Sequence, residues 1–162
     1  IIKIKQAPYK RFIYYLTPVG FSEKAKLVNE YFNDSLFFFK MLRSEFNDLF
    51  SSENCSSFYF YGTGEVCEIG VLSAQENNKK IIAIIDPKYR GKKFLNFKVS
   101  KKIPENLGNK KIVITSKIYQ QDIYFKLLKK FNAHQILFIK SMFISRKIPN
   151  FKPTENNSTK NG

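Results

Sequence analysis

The chain has 162 residues, 28 basic against 13 acidic side chains, and a formal net charge of +15. Its length suits one compact domain, or one small domain with an appendage, and its 43% hydrophobic content is enough for a core. No apolar run approaches the roughly 20 residues that span a bilayer, and the two cysteines, Cys55 and Cys67, have no metal-ligand spacing and a single histidine to join them.

The N-terminus, "IIKIKQAPYKR", has no signal-peptide organisation. So few cysteines make a reducing cytoplasm the expected compartment. The chain does not begin with Met, so an upstream segment is expected. The basic excess is uneven. Residues 1–56 carry 8 basic and 6 acidic side chains, residues 57–150 carry 18 and 6, and residues 151–162 carry 2 and 1. Two accounts stay open. One is a surface for nucleic acid or phosphorylated ligands. The other is a compositional bias, since abundant Lys, Ile, Asn, Phe and Tyr with no Trp follow A+T-rich codons.

Residues 1–16 alternate as "IIKIK", "APYKR" and "FIYYL". They read as a β-hairpin with Pro8 at the turn and Lys10 and Arg11 beside it. A long helix is expected over 17–52, with Thr17 as N-cap and Pro18 at the first helical position. Phe21, Ala25, Val28, Phe32, Ser35, Phe39, Leu42, Phe46 and Leu49 are spaced alternately by four and three. That is a heptad seam of about four heptads, widened by Phe37, Phe38 and Phe50. Such a helix is not satisfied alone in water. It either packs on the following domain or pairs with a second copy, and a homodimer through 17–52 is the favoured expectation.

From residue 53 the pattern changes to alternating strands and helices. "SFYFYG" is a continuous apolar run, like a strand covered on both faces. Residues 65–77 read as helix, "KKIIAIIDP" as a second buried strand, and "FLNFKVS" as a short edge strand. "NKKIVITS" is another apolar strand. "YQQDIYFKLLKKFNA" is an amphipathic helix with Ile123, Phe125, Leu127, Leu128 and Phe131 inward, and "HQILFIKS" is a last strand. The implied fold class is α/β: a Rossmann-like parallel sheet of four to five strands flanked by helices over 53–150. The polar tail, 151–162, is expected to be disordered.

Gly62, Thr63 and Gly64 follow the first of these strands and open its helix. A first glycine permits a tight turn, a second lets a phosphate approach the backbone, and the helix start offers free N–H groups. A full dinucleotide fingerprint has a third glycine where this chain has Cys67, a small residue expected to pack in the core. Asp86 ends the next strand, 22 residues after Gly64, where an acid bonds ribose hydroxyls. Glu65 stands beside the phosphate position, where it either repels a diphosphate or completes the helix start. "DPKYRGKKF" places Lys88, Arg90, Lys92 and Lys93 near Asp86, as a further phosphate contact or a solvated loop. Thr115 and Ser116 end "IVITS" on the ligand side of such a sheet. The expected ligand-site residues are therefore Gly62, Thr63, Gly64, Glu65, Asp86, Thr115 and Ser116. A nicotinamide dinucleotide or a nucleotide sugar is the expected ligand class, though nothing singles out one of them.

Catalysis needs a positioned acid, base or nucleophile. His134 is the only histidine and begins the last expected strand. Thr115 and Ser116 have no evident base. The module reads as a binder or sensor rather than an enzyme.

"YYLTPVGFSEKAKL" within "RFIYYLTPVGFSEKAKLVNEYF" resembles winged helix-turn-helix regulators of the MarR-like type, in particular the polysaccharide-associated branch. The resemblance covers about the first 35 residues. It implies that residues 1–16 are the wing and that the next helix dimerises. It also implies a helix-turn-helix upstream, and Lys5, Lys10 and Arg11 as DNA contacts. The stretch from "FYFYGTGEVCEIG" to "FLNFKV" resembles small Rossmann-like domains of nucleotide-sugar enzymes and sugar acyltransferases, where the glycine turn and the acid bind a nucleotide. Together they imply the C-terminal part of a DNA-binding transcriptional regulator that senses a nucleotide or nucleotide sugar. The alternative is a non-catalytic or partner-dependent nucleotide-binding subunit of nucleotide-sugar or polysaccharide metabolism.

Overall fold

The computed structural model describes residues 18–147. It is an α/β chain with three α-helices and one six-stranded, mostly parallel sheet. The hairpin expected over 1–16, with Lys5, Lys10 and Arg11, lies outside the described residues, as do Thr17 and the tail 151–162.

Helix α1 runs Pro18–Ser52, and proline suits its first position because the missing N–H would have no partner there. From Phe39 onward its seam enters the core, and Leu42, Phe46 and Phe50 are buried. The Phe50 ring meets Phe58 edge-on at 5.2 Å and stacks on Phe60 at 6.1 Å. Both partners lie on β1 (Ser57–Tyr61). Ahead of Phe39 the same seam stands in solvent. Phe32 is 59% exposed, Phe37 71%, and Val28 65%. The C-terminal half is thus an intramolecular core helix, and the N-terminal half is uncovered among the described residues.

Helix α2 (Glu65–Glu76) lies against α1. Gly70 allows the close approach: a Cβ there would come within 3.0 Å of the Phe60 ring and 3.2 Å of the Phe46 ring. Polar contacts fix the pair. The buried Ser73 hydroxyl donates to Asn47 Oδ1 at 2.6 Å, Asn77 Nδ2 donates to the same oxygen at 2.9 Å, and Arg43 pairs with Glu76. The junction after α1 is clamped as well. Lys79 Nζ donates to the carbonyls of Glu53 and Cys55 at 2.7 and 2.9 Å, and Lys111 pairs with Glu53 at 2.6 Å.

The remaining strands are β2 (Lys80–Ile85), β3 (Lys93–Phe94), β4 (Phe97–Ser100), β5 (Lys111–Ile114) and β6 (Ile136–Leu137). The order is β3-β4-β2-β1-β5-β6, with β3 antiparallel at the edge and the other five parallel. Six strands exceed the expected four to five because "FLNF" is a hairpin. Leu95 and Asn96 both take positive φ, 50° and 66°, the geometry of a two-residue hairpin turn. No glycine advertises it.

Helix α3 (Gln120–Leu128) is shorter than the expected 119–133, and β6 is shorter than the expected 134–141. The inward face of α3 includes Tyr124, which the sequence reading omitted. Tyr124 and Leu127 are buried one turn apart, while Ile123, Phe125 and Leu128 are only partly covered. The Tyr124 ring packs edge-on against Phe138 at 5.5 Å. The connections β1–α2–β2 and β5–α3–β6 run in opposite directions across the sheet, so right-handed crossovers put α2 and α3 on opposite faces. No helix of the described residues is long and apolar enough to cross a membrane.

Candidate functional site: a cleft at the strand ends

The central strand β1 has β2 on one side and β5 on the other. The chain leaves β1 towards β2 and later returns to β5. The loops after β1 and β5 therefore diverge and leave a crevice outside the carboxyl ends of the strands. A cleft of about 1010 Å³ opens there. All seven expected ligand-site residues line it: Gly62, Thr63, Gly64, Glu65, Asp86, Thr115 and Ser116.

The two glycines of the turn do different work. Gly62 is enclosed. Its N–H donates to the Ile85 carbonyl at 2.9 Å, and its own carbonyl accepts from the Thr115 hydroxyl at 2.6 Å. A Cβ at Gly62 would fall 2.5–2.6 Å from Cβ, Cα and N of Ser116, so only glycine fits. Gly64 has φ 122° and ψ −167°, a region open essentially to glycine alone. Yet a Cβ there would meet nothing within 4 Å. Gly64 caps α2 with no side-chain hydrogen bond, and the helix starts on the wall of the cleft, which Gly64, Glu65 and Val66 line.

Asp86 is tied into this turn. Its Oδ2 accepts from the Thr63 N–H at 3.0 Å and the Thr63 hydroxyl at 2.7 Å, and its Oδ1 accepts from the Lys88 N–H at 3.0 Å. Partial burial pushes the carboxyl up. The hydrogen bonds from Thr63, Lys88 and Tyr89 outweigh it and hold the group below its ordinary value. The position expected for a ribose-binding acid is thus also the brace of the glycine turn. Beside it, burial and then the Asp86 charge raise the Tyr61 phenol.

Two contacts cross the cleft. Glu65, at the start of α2, pairs with Lys117, just beyond β5, at 2.8 Å. The hydrogen bond and the charge of Lys117 hold the Glu65 carboxyl below its usual range. Lys88, beyond β2, sits 4.9 Å from the centre of the Tyr119 ring, a cation–π distance. Arg90 and Lys126 also line the cleft and form no ion pair among the described residues. Lys117 and Tyr119 were not singled out from sequence, although they follow Thr115 and Ser116 on the ligand side of the same strand. The position of Tyr119 depends on a left-handed backbone, φ 54°, which carries no sequence signal.

The arrangement is equipped to hold charge and hydrogen-bond a ligand. Thr115 is buried with its hydroxyl committed to Gly62, and Ser116 donates to the Ile118 carbonyl at 3.0 Å. Cys67, in the place of a third fingerprint glycine, is fully buried, and burial pushes its thiol up to about 12. It packs as a small core residue, as expected. His134 is exposed in the short turn Ala133–Gln135 before β6, at the opposite end of the sheet. No protein-family model matches the chain, and no curated protein and no solved structure matches it either.

Proposed function

We propose that the cleft binds a ligand of the nucleotide class, and that the chain is the ligand-sensing part of a winged-helix transcriptional regulator. The observation that carries the ligand reading is Gly64. It holds a glycine-only conformation at a helix start and faces the open cleft. A strained backbone position that fills no packing need fits an approach by a phosphate group. The strand order supports the same reading, because β1 lies between β2 and β5 and the loops that follow β1 and β5 diverge at this turn. In this reading the module binds and does no chemistry of its own. The ligand is a nicotinamide dinucleotide, coenzyme A or a nucleotide sugar.

The regulator reading draws on the wing-like motif of the first 35 residues and on the uncovered seam of α1. Val28 and Phe32 are apolar, exposed and in heptad register. A second copy of α1 covers them, and an upstream helix-turn-helix supplies base readout. Ligand binding then biases the angle between the two copies.

The test is the thermal shift of the chain with NAD(H), NADP(H), coenzyme A and UDP-sugars. At 100 times its dissociation constant a true ligand stabilises by about 2.7 kcal/mol. Gly64→Leu abolishes that shift. Binding that survives the substitution sinks the phosphate assignment. The alternative, a nucleotide-binding subunit of polysaccharide metabolism, is separated by the upstream coding sequence. The regulator requires about 45–60 residues of helix-turn-helix there, roughly three helices.

A further inference from the structure

Glu65 and Lys117 belong to opposite walls of the cleft, the start of α2 and the loop after β5, and their side chains meet at 2.8 Å. Neither is needed to satisfy a buried group: Glu65 is 77% exposed and Lys117 49%. The pair is not part of the glycine turn's own bracing, which runs through Thr63, Asp86 and Thr115. A carboxylate is itself an anion with oxygens arranged to accept from an ammonium group. In the free protein it fills the coordination that Lys117 would give to a ligand phosphate.

We propose that Glu65 is an internal competitor for the cleft's anion-binding lysine, Lys117, and so sets which phosphorylated ligands enter. This rests on the proposed nucleotide reading of the cleft. A ligand phosphate takes Lys117, and Glu65 swings into solvent, where its exposure makes release cheap. A ligand of high negative charge density gains Lys117 but then lies beside a freed carboxylate. The cleft therefore favours ligands that spread their charge, with part of it meeting Lys88 or Arg90 in the loop after β2, or Lys126 on α3. The competition is tethered, so ligand affinity reports the strength of the pair inversely: it falls as the pair strengthens and rises as the pair weakens.

The pair makes a prediction of opposite signs. A structural salt bridge loses function whichever partner is removed. A competitor and its target do not behave alike. Full-chain wild type, Glu65→Gln, Lys117→Gln and the double variant are titrated with ADP and UDP by calorimetry at low and high salt. Glu65→Gln should tighten binding roughly two- to fivefold at low salt, the range of an exposed pair, and Lys117→Gln should weaken it. The difference between Glu65→Gln and wild type should shrink as salt screens the pair. If both single variants weaken binding, or neither changes it while Gly64→Leu abolishes it, Glu65 is no competitor and only this inference falls. If neither the wild type nor any variant binds ADP or UDP, and NAD(H), NADP(H), coenzyme A and UDP-sugars give no thermal shift either, the nucleotide reading falls with it; if ADP and UDP alone fail, only this inference falls. Thermal unfolding of each variant confirms that the fold is intact, since exposed pairs contribute little to stability.

Discussion

The two halves of α1 carry one apolar repeat into opposite surroundings. Phe46 and Phe50 are fully buried, with Phe50 packed on β1, whereas Val28 and Phe32, 18 and 14 residues before Phe46 on the same seam, face solvent. A heptad pattern states that a face needs a partner and leaves the partner's identity open. Here the sheet meets that need for one half only. The glycine turn repeats the contrast on a smaller scale. Gly62 is glycine because its neighbours leave no room, and Gly64 is glycine although its neighbours leave every room.

The sharpest test of the contrast is Phe50→Ala, which removes a ring shared by α1 and β1. It should cost about 3–5 kcal/mol, read from denaturant midpoints. Phe32→Ser, on the uncovered half, should move the stability of the isolated chain by no more than about 0.5 kcal/mol. It should instead abolish self-association in sedimentation. A large stability loss would show that this half has a partner within the chain.

The glycines come next. Gly62→Ala combines left-handed strain with overlap on the Ser116 backbone and should cost about 2–4 kcal/mol. Gly64→Ala has strain without overlap and should cost about 1–2 kcal/mol. Equal costs would erase the distinction drawn between them.

A pH-dependent effect concerns Asp86, whose folded carboxyl titrates below its ordinary value of 3.8. A lowered folded value means that its stabilisation is fully present above the ordinary value and is lost as pH falls through the folded one. Melting temperature should thus be steady above about pH 5 and drop below about pH 4. Asp86→Asn should flatten part of that drop, at a cost of about 1 kcal/mol near neutral pH. An unchanged acid limb would detach Asp86 from the turn's stability.

Much of the architecture was readable because burial imposes periodicity. The run "SFYFY" is apolar throughout because β1 is central, and the start of α2 was marked by the glycines that end that strand. The hairpin at Leu95 and Asn96 was not readable, since both residues take positive φ without glycine. Tyr124 was missed because tyrosine is amphipathic, and its burial follows from Phe138, which arrives from another segment. In the cleft, local signals located Gly62, Gly64 and Asp86. The cross-cleft partners Lys117 and Tyr119 needed the third dimension, because Lys117 meets a residue 52 positions away.

The clamped junction between α1 and the sheet has a mechanical consequence. Lys79 and Lys111 hold the segment around Glu53 from two sides, and α2, which begins at the cleft, bears on α1 through Gly70 and Glu76. The uncovered half of α1 is about 30 Å long at 1.5 Å per residue. A rod anchored at one end amplifies: a tilt of about 5° at α2 displaces the far tip by about 2.5 Å over that length. The helix is a pointer whose fulcrum lies one helix away from the glycine turn.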